Sequence, residues 1–147
     1  GRCVESPCAI SGGFARPPGR LVAIGYDASG NAYKSNEIAT AGAPAEIRLE
    51  VERPGSGSLA YVTATILDDD GRIVPDADLP VLFEPTGSAR FLAAGSADMT
   101  DSTSYSRPLR TTHHGRALAI LRLPADTHSE SGIRVTTPTL PPASLTF

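Results

Sequence analysis

The chain has 147 residues, 40% of them hydrophobic, with 14 Gly, 13 Pro and a net charge of -3. That length supports one sandwich-sized core, or one plus a fragment. The weak negative charge gives a nucleic-acid partner no electrostatic support, and no apolar run has the length of a membrane-spanning helix.

Residues 1–19 carry the turn signals SPC, SGG and RPPG and open without Met, which reads as a cut end. Cys3 and Cys8 are spaced for a small disulfide loop or for two free thiols; the spacing is not that of a zinc site. A periplasmic or extracellular location is favoured slightly over a cytoplasmic one. Residues 20–26 (RLVAIGY) read as a strand, 27–30 as a turn and 31–40 as a returning strand. Such a hairpin has too few partners to stand alone. AGAP at 41–44 then punctuates the chain. We place a boundary there, with 1–43 as the tail of a partial β-domain and 44–147 as a complete one.

Within 44–147, residues 45–51 alternate Ile47, Leu49 and Val51 against Glu46, Arg48 and Glu50, a strand with one wet face. Residues 59–83 read as strand, hairpin turn, strand. Ala60, Val62, Ala64 and Ile66 share one face, and Tyr61, Thr63, Thr65 and Leu67 the other. Asp69, Asp70 and Gly71 supply turn chemistry. Ala77, Leu79, Val81 and Phe83 then share a face. Further strands are expected at 88–93, 116–123, 133–137 and 144–147. No stretch sustains a helical period. The expected fold is therefore all-β, an Ig-like antiparallel β-sandwich of about seven strands preceded by a partial β-domain (hairpin). Its core is expected to contain Val62, Ala64, Ile66, Val81, Phe83, Ala119 and Leu121.

Chemistry-bearing groups are sparse. Asp68, Asp69, Asp70 and Gly71 resemble a calcium loop, but the EF-hand pattern would need an acid at Ile66 and a Glu at Ala77. A turn with solvated charges explains them. His113, His114 and His128 are the only histidines. Neighbours in a strand point to opposite faces, so His113 and His114 are not expected to chelate one ion. No G-x-S-x-G occurs, and the acids sit in turns or on a wet strand face, so no catalytic, metal or cofactor site is expected. Residues 95–115 form a long polar stretch without periodicity, of a length that is often functional. It carries Asp98, Tyr105, Arg107, Arg110 and the His113–His114 pair, a mixture suited to an interdomain contact. The alternatives are a mobile surface loop and a sugar contact through Tyr105.

Two segments together resemble the C-terminal accessory β-domains of bacterial β-galactosidases of glycoside hydrolase family 2. The first is Gly19, Leu21, Ala23, Gly25, Tyr26, Asp27 and Gly30, followed by Thr40, Ala41, Gly42, Pro44 and Ala45. The second is LDDDG at 67–71 with VPDAD at 74–78, then Gly95 to Asp98 at the family's G-N-G-D loop and His113-His114-Gly115 at its F-N-G step. The loop departs from the pattern at Ser96 and Ala97, and the last step keeps only the glycine. The resemblance implies a non-catalytic scaffold with no cofactor. Its partners would be the catalytic barrel and neighbouring β-domains of its own polypeptide, and its parent would hydrolyse terminal β-galactosides. The competing resemblance is to the Ig-like repeats of invasin- or intimin-type adhesins, but residues 1–44 do not repeat the pattern of residues 45–147. A carbohydrate-binding module is the third reading, with carbohydrate as the partner. The absence of Trp and the 5% aromatic content weaken it.

Overall fold

The computed structural model describes residues 19–53, 57–124 and 130–147. Cys3, Cys8 and His128 lie outside the described residues. The chain divides into two compact units, Gly1–Thr40 and Ala41–Phe147.

In the first unit, β1 (Arg20–Tyr26) and β2 (Ala32–Ala39) form an antiparallel hairpin, with Leu21 opposite Ile38 and Ile24 opposite Ser35. The turn is built by Asp27, whose Oδ1 accepts from the amides of Ser29 (2.9 Å) and Asn31 (2.8 Å). Gly25 is small because the ring of Tyr33 lies across it; a Cβ there would sit 3.0 Å from Tyr33 Cε1. Within this unit the hairpin pairs with no third strand among the described residues. Leu21, Val22, Ile24, Tyr26 and Ile38 remain exposed.

The second unit contains β3 (Glu46–Glu52), β4 (Leu59–Leu67), β5 (Pro80–Gly87), β6 (Arg90–Gly95), β7 (Leu109–Thr111), β8 (Arg116–Arg122), β9 (Ser131–Thr136) and β10 (Ala143–Thr146). They form two four-stranded antiparallel sheets, ordered β3-β4-β8-β6 and β10-β9-β5-β7. This is the ABED-and-GFC arrangement of an Ig-like sandwich, with β7 added beside the C strand. All seven residues expected in the core are fully buried. Alternation places Val62, Ala64 and Ile66 of β4 and Ala119 and Leu121 of β8 between the sheets, facing Val81 and Phe83 of β5 and Ile133 and Val135 of β9.

Two expectations are corrected. Residues 59–83 are not a hairpin of paired strands, because β4 and β5 belong to opposite sheets. Only Leu67 and Ile73 bridge across the tight turn, after which the chain crosses the sandwich. β5 also begins at Pro80 rather than Ala77. Ala77 is buried in a turn whose amide bonds Val74 O. Pro85 is tolerated inside β5 for a geometric reason. The Phe83 amide points at Pro108 O (3.0 Å). Two residues on, the missing N–H of Pro85 faces the same side, beyond the β5 residues that β7 pairs, which end at Leu82.

Candidate functional site

Residues 95–115 are an internally bonded structure that includes β7, not an unpatterned loop. Asp98 Oδ1 accepts from Thr100 N (2.8 Å) and Thr100 Oγ1 (2.7 Å), closing one turn. Asp101 Oδ1 accepts from Thr103 N (2.8 Å), closing the next. Arg110, on β7, is only 2% exposed. Its Nη1 donates to Asp101 Oδ2 (3.0 Å) and Thr103 O (3.0 Å), and its Nη2 donates to Ser104 O. Its Nε is buried without a partner. Arg110 therefore anchors the loop from beneath and presents no surface of its own.

Tyr105 is displayed by that anchor. Its carbonyl accepts from Ala94 N (2.8 Å), and its ring lies over Gly95, where a Cβ would be 3.3 Å from Cε1. The Arg110 guanidinium sits 5.5 Å from the ring centroid, a cation–π contact. The ring nevertheless stays 70% exposed. Arg107 is exposed on the turn that its amide closes with Ser104 O (3.1 Å). His113 is half-buried where the chain passes from β7 to β8. His113 and Arg116 exchange both backbone hydrogen bonds (2.9 and 3.1 Å) across a two-residue turn, His114 at φ 50° and Gly115 at φ 70°. The turn corrects the expectation that the two histidines point apart: their rings meet edge to face, 4.2 Å between centroids.

Asp68, read from the sequence as solvated, is 3% exposed. Its Oδ2 accepts from Gly42 N (2.7 Å), and its Oδ1 from Asp70 N (3.0 Å) and Arg72 N (2.7 Å). It thus ties the TAG segment to the DDDG turn, the two motifs of the resemblance. The Gly42 amide foremost, then those of Arg72 and Asp70, hold its carboxyl below the ordinary value. The carboxyls of Asp98 and Asp101 are also depressed, the first by the Thr100 hydroxyl and amide and the second by Thr103 and then Arg110. Among the described residues no three His, Cys, Asp or Glu side chains converge as metal ligands would.

Beside Tyr105 the outer face of the β3-β4-β8-β6 sheet holds a groove of 590 Å³, lined by Thr63, Ala93, Gly95, Leu118 and Ile120 among others. Sequence reasoning missed it. The available signal was the apolar Leu118 and Ile120 on the face of β8 opposite its inward Ala117, Ala119 and Leu121.

Residues 48–146 match the family described as glycoside hydrolase family 2 C-terminal domain 5. A β-galactosidase of Bacteroides ovatus, BoGH2A, is 30% identical over 109 residues, which are 71% of this chain and 13% of that protein. A glycosyl hydrolase family 2 member from Bacteroides cellulosilyticus superposes with a TM-score of 0.78 at 25% identity, over 89% of this chain and 18% of that one. A β-glucuronidase of the same family superposes at 0.74 and 20% identity, over 91% of this chain and 14% of that one, a likeness of fold. The chain thus spans about an eighth of the length of the curated relative it matches.

Proposed function

The chain belongs to glycoside hydrolase family 2, as its C-terminal domain 5, and from that premise we propose that it is a non-catalytic accessory region that docks against the rest of its own polypeptide. One observation carries the non-catalytic part. The carboxylates of Asp27, Asp68, Asp98 and Asp101 are committed to backbone amides and, at Asp98, to the Thr100 hydroxyl, and these hydrogen bonds hold each carboxyl below its ordinary proton affinity. A glycosidase's general acid requires the opposite shift, toward neutrality, so that it carries a proton to the leaving oxygen. These carboxylates accept backbone and hydroxyl hydrogen bonds and build turns.

The parent enzyme is proposed to hydrolyse terminal β-galactosides, on the support of the 30% identical relative named as a β-galactosidase. The test is to express the 147-residue chain and its longer polypeptide and to assay both with aryl β-galactoside and aryl β-glucuronide. The expected result is galactoside turnover by the longer protein alone. Turnover by the 147-residue chain that disappears on replacing one of its own acids overturns the scaffold reading. Turnover of the glucuronide alone overturns the substrate.

A further inference from the structure

The outer face of the β3-β4-β8-β6 sheet can be mapped row by row from its register. One row runs Glu50, Thr63, Leu118, Gly95, and the next Glu52, Tyr61, Ile120, Ala93. Beyond them, Arg122 of β8 stands directly opposite Arg90 of β6, and at the other end Thr65 stands opposite Arg116. The β3 edge carries Glu50 and Glu52 in these two rows and Arg48 in the row of Thr65 and Arg116, the middle is apolar, and the β8-β6 side is basic at both ends. Arg90, Arg116 and Arg122 are all exposed, and among the described residues none has an ion-pair partner.

Two features of this face work against the isolated domain. Like charges directly opposed across strands repel. Exposed apolar surface gathered in a groove, rather than scattered singly, costs solvation and marks contact surfaces. The outer face of the second sheet is paired differently: there Arg134 stands opposite both Glu84 and Ser144, and the apolar pair is Leu82 with Leu109 at the β7 edge. The groove is also unsuited to a sugar. Its lining is mostly apolar, and Ala93, Leu118 and Ile120 would strip water from hydroxyls without replacing the hydrogen bonds.

Building on the accessory-domain reading, we propose that this face is the docking surface for the rest of the polypeptide. An apolar side chain of another domain fills the groove beside Tyr105, and a carboxylate of the same segment lies between Arg90 and Arg122. The occupant is a domain of the same chain because the relatives carry this region as 13–18% of a much longer polypeptide, and because the basic, unpaired ends call for an acidic surface around the apolar contact.

The test uses thiol labelling with a maleimide, after Cys3 and Cys8 are replaced by Ser. Thr63→Cys places a thiol in the groove and Arg134→Cys one on the opposite outer face. In the longer polypeptide Thr63→Cys is expected to label at least about tenfold more slowly than in the 147-residue chain, with Arg134→Cys labelling alike in both. Adding Arg122→Glu should restore fast labelling in the longer polypeptide. In the 147-residue chain the same change should raise Tm, because an opposed like-charge pair becomes an attractive one. Equal Thr63→Cys rates in the two proteins overturn the proposal, as does protection at Arg134→Cys instead. So does protection of the 147-residue chain by added galactose, which would make the groove a sugar site, or by raising its own concentration, which would make the occupant a second copy. A reading frame that encodes no further domain also overturns it. A longer polypeptide without glycosidase activity would sink the proposed function while the labelling rates still decide the docking face.

Discussion

At Asp68 three backbone amides converge on one buried carboxylate, drawn from Gly42, Asp70 and Arg72. Because its folded proton affinity is depressed below the ordinary 3.8, the ionised form stabilises the fold fully above that unfolded value. The contribution is lost as pH falls through the lower folded value. Asp68→Asn should therefore lower Tm at neutral pH and flatten the decline of Tm below about pH 4, read from thermal melts across pH. An unchanged acid limb would mean the carboxylate is not what the amides hold. The turn after β7 poses a second test. His114 and Gly115 both have positive φ, but only Gly115 lacks a side chain. His114→Asn should stabilise slightly, since the short polar side chain of Asn visits this region routinely. Gly115→Ala should destabilise by more than about 1 kcal/mol, because its Cβ would meet Val74 O at 2.4 Å. Denaturant titration of the two variants should give shifts of opposite sign. Asp68 could not be told from its neighbours in the sequence, because three consecutive aspartates look alike until one of them turns inward.

The strands themselves were largely legible, since period-2 alternation survives in β3, β4 and β8, whose inner faces read Ile47, Leu49, Val51, then Ala60, Val62, Ala64, then Ala117, Ala119, Leu121. Phe83→Ala should cost about 3–5 kcal/mol in chemical denaturation, as for a large buried ring with no room to relax. A loss below ~1 kcal/mol would contradict its place between the sheets. Pairing was less legible than existence. A tight turn between two alternating runs looks the same whether the strands pair or part, and here Val74 N returns to Ile66 O (3.0 Å) before the chain crosses over. β7 left no periodic trace because it is three residues long, with its one inward position filled by Arg110 and the polar Thr112 buried just past its end. A buried arginine defeats any hydrophobicity pattern. Of the candidate contact residues, the sequence marked the loop that holds them but not the division of labour within it, where Arg110 supports and Tyr105 is displayed.

For the whole chain, the question is where the sandwich begins. Sequence punctuation puts the boundary after residue 43, whereas the second compact unit starts at Ala41. The difference has a physical basis. Ala41 packs against the core cluster, and the Gly42 amide is a donor to buried Asp68. Removing both residues leaves Asp68 Oδ2 without that donor and uncovers part of the core edge. A fragment of residues 41–147 should fold alone with one cooperative thermal transition within a few degrees of the full chain, because its core is contained within it. A fragment of residues 44–147 should fold with a lower Tm, and Asp68→Asn should cost it less than it costs the longer fragment, since one partner is already gone. A fragment of residues 19–40 should show no cooperative transition, being a two-stranded hairpin with Leu21, Ile24 and Ile38 in water. If 41–147 and 44–147 melt at the same temperature, the Gly42–Asp68 bond contributes nothing measurable and the boundary belongs where the punctuation put it. If 41–147 fails to fold, the sandwich depends on residues before it, and the two units are one folding unit.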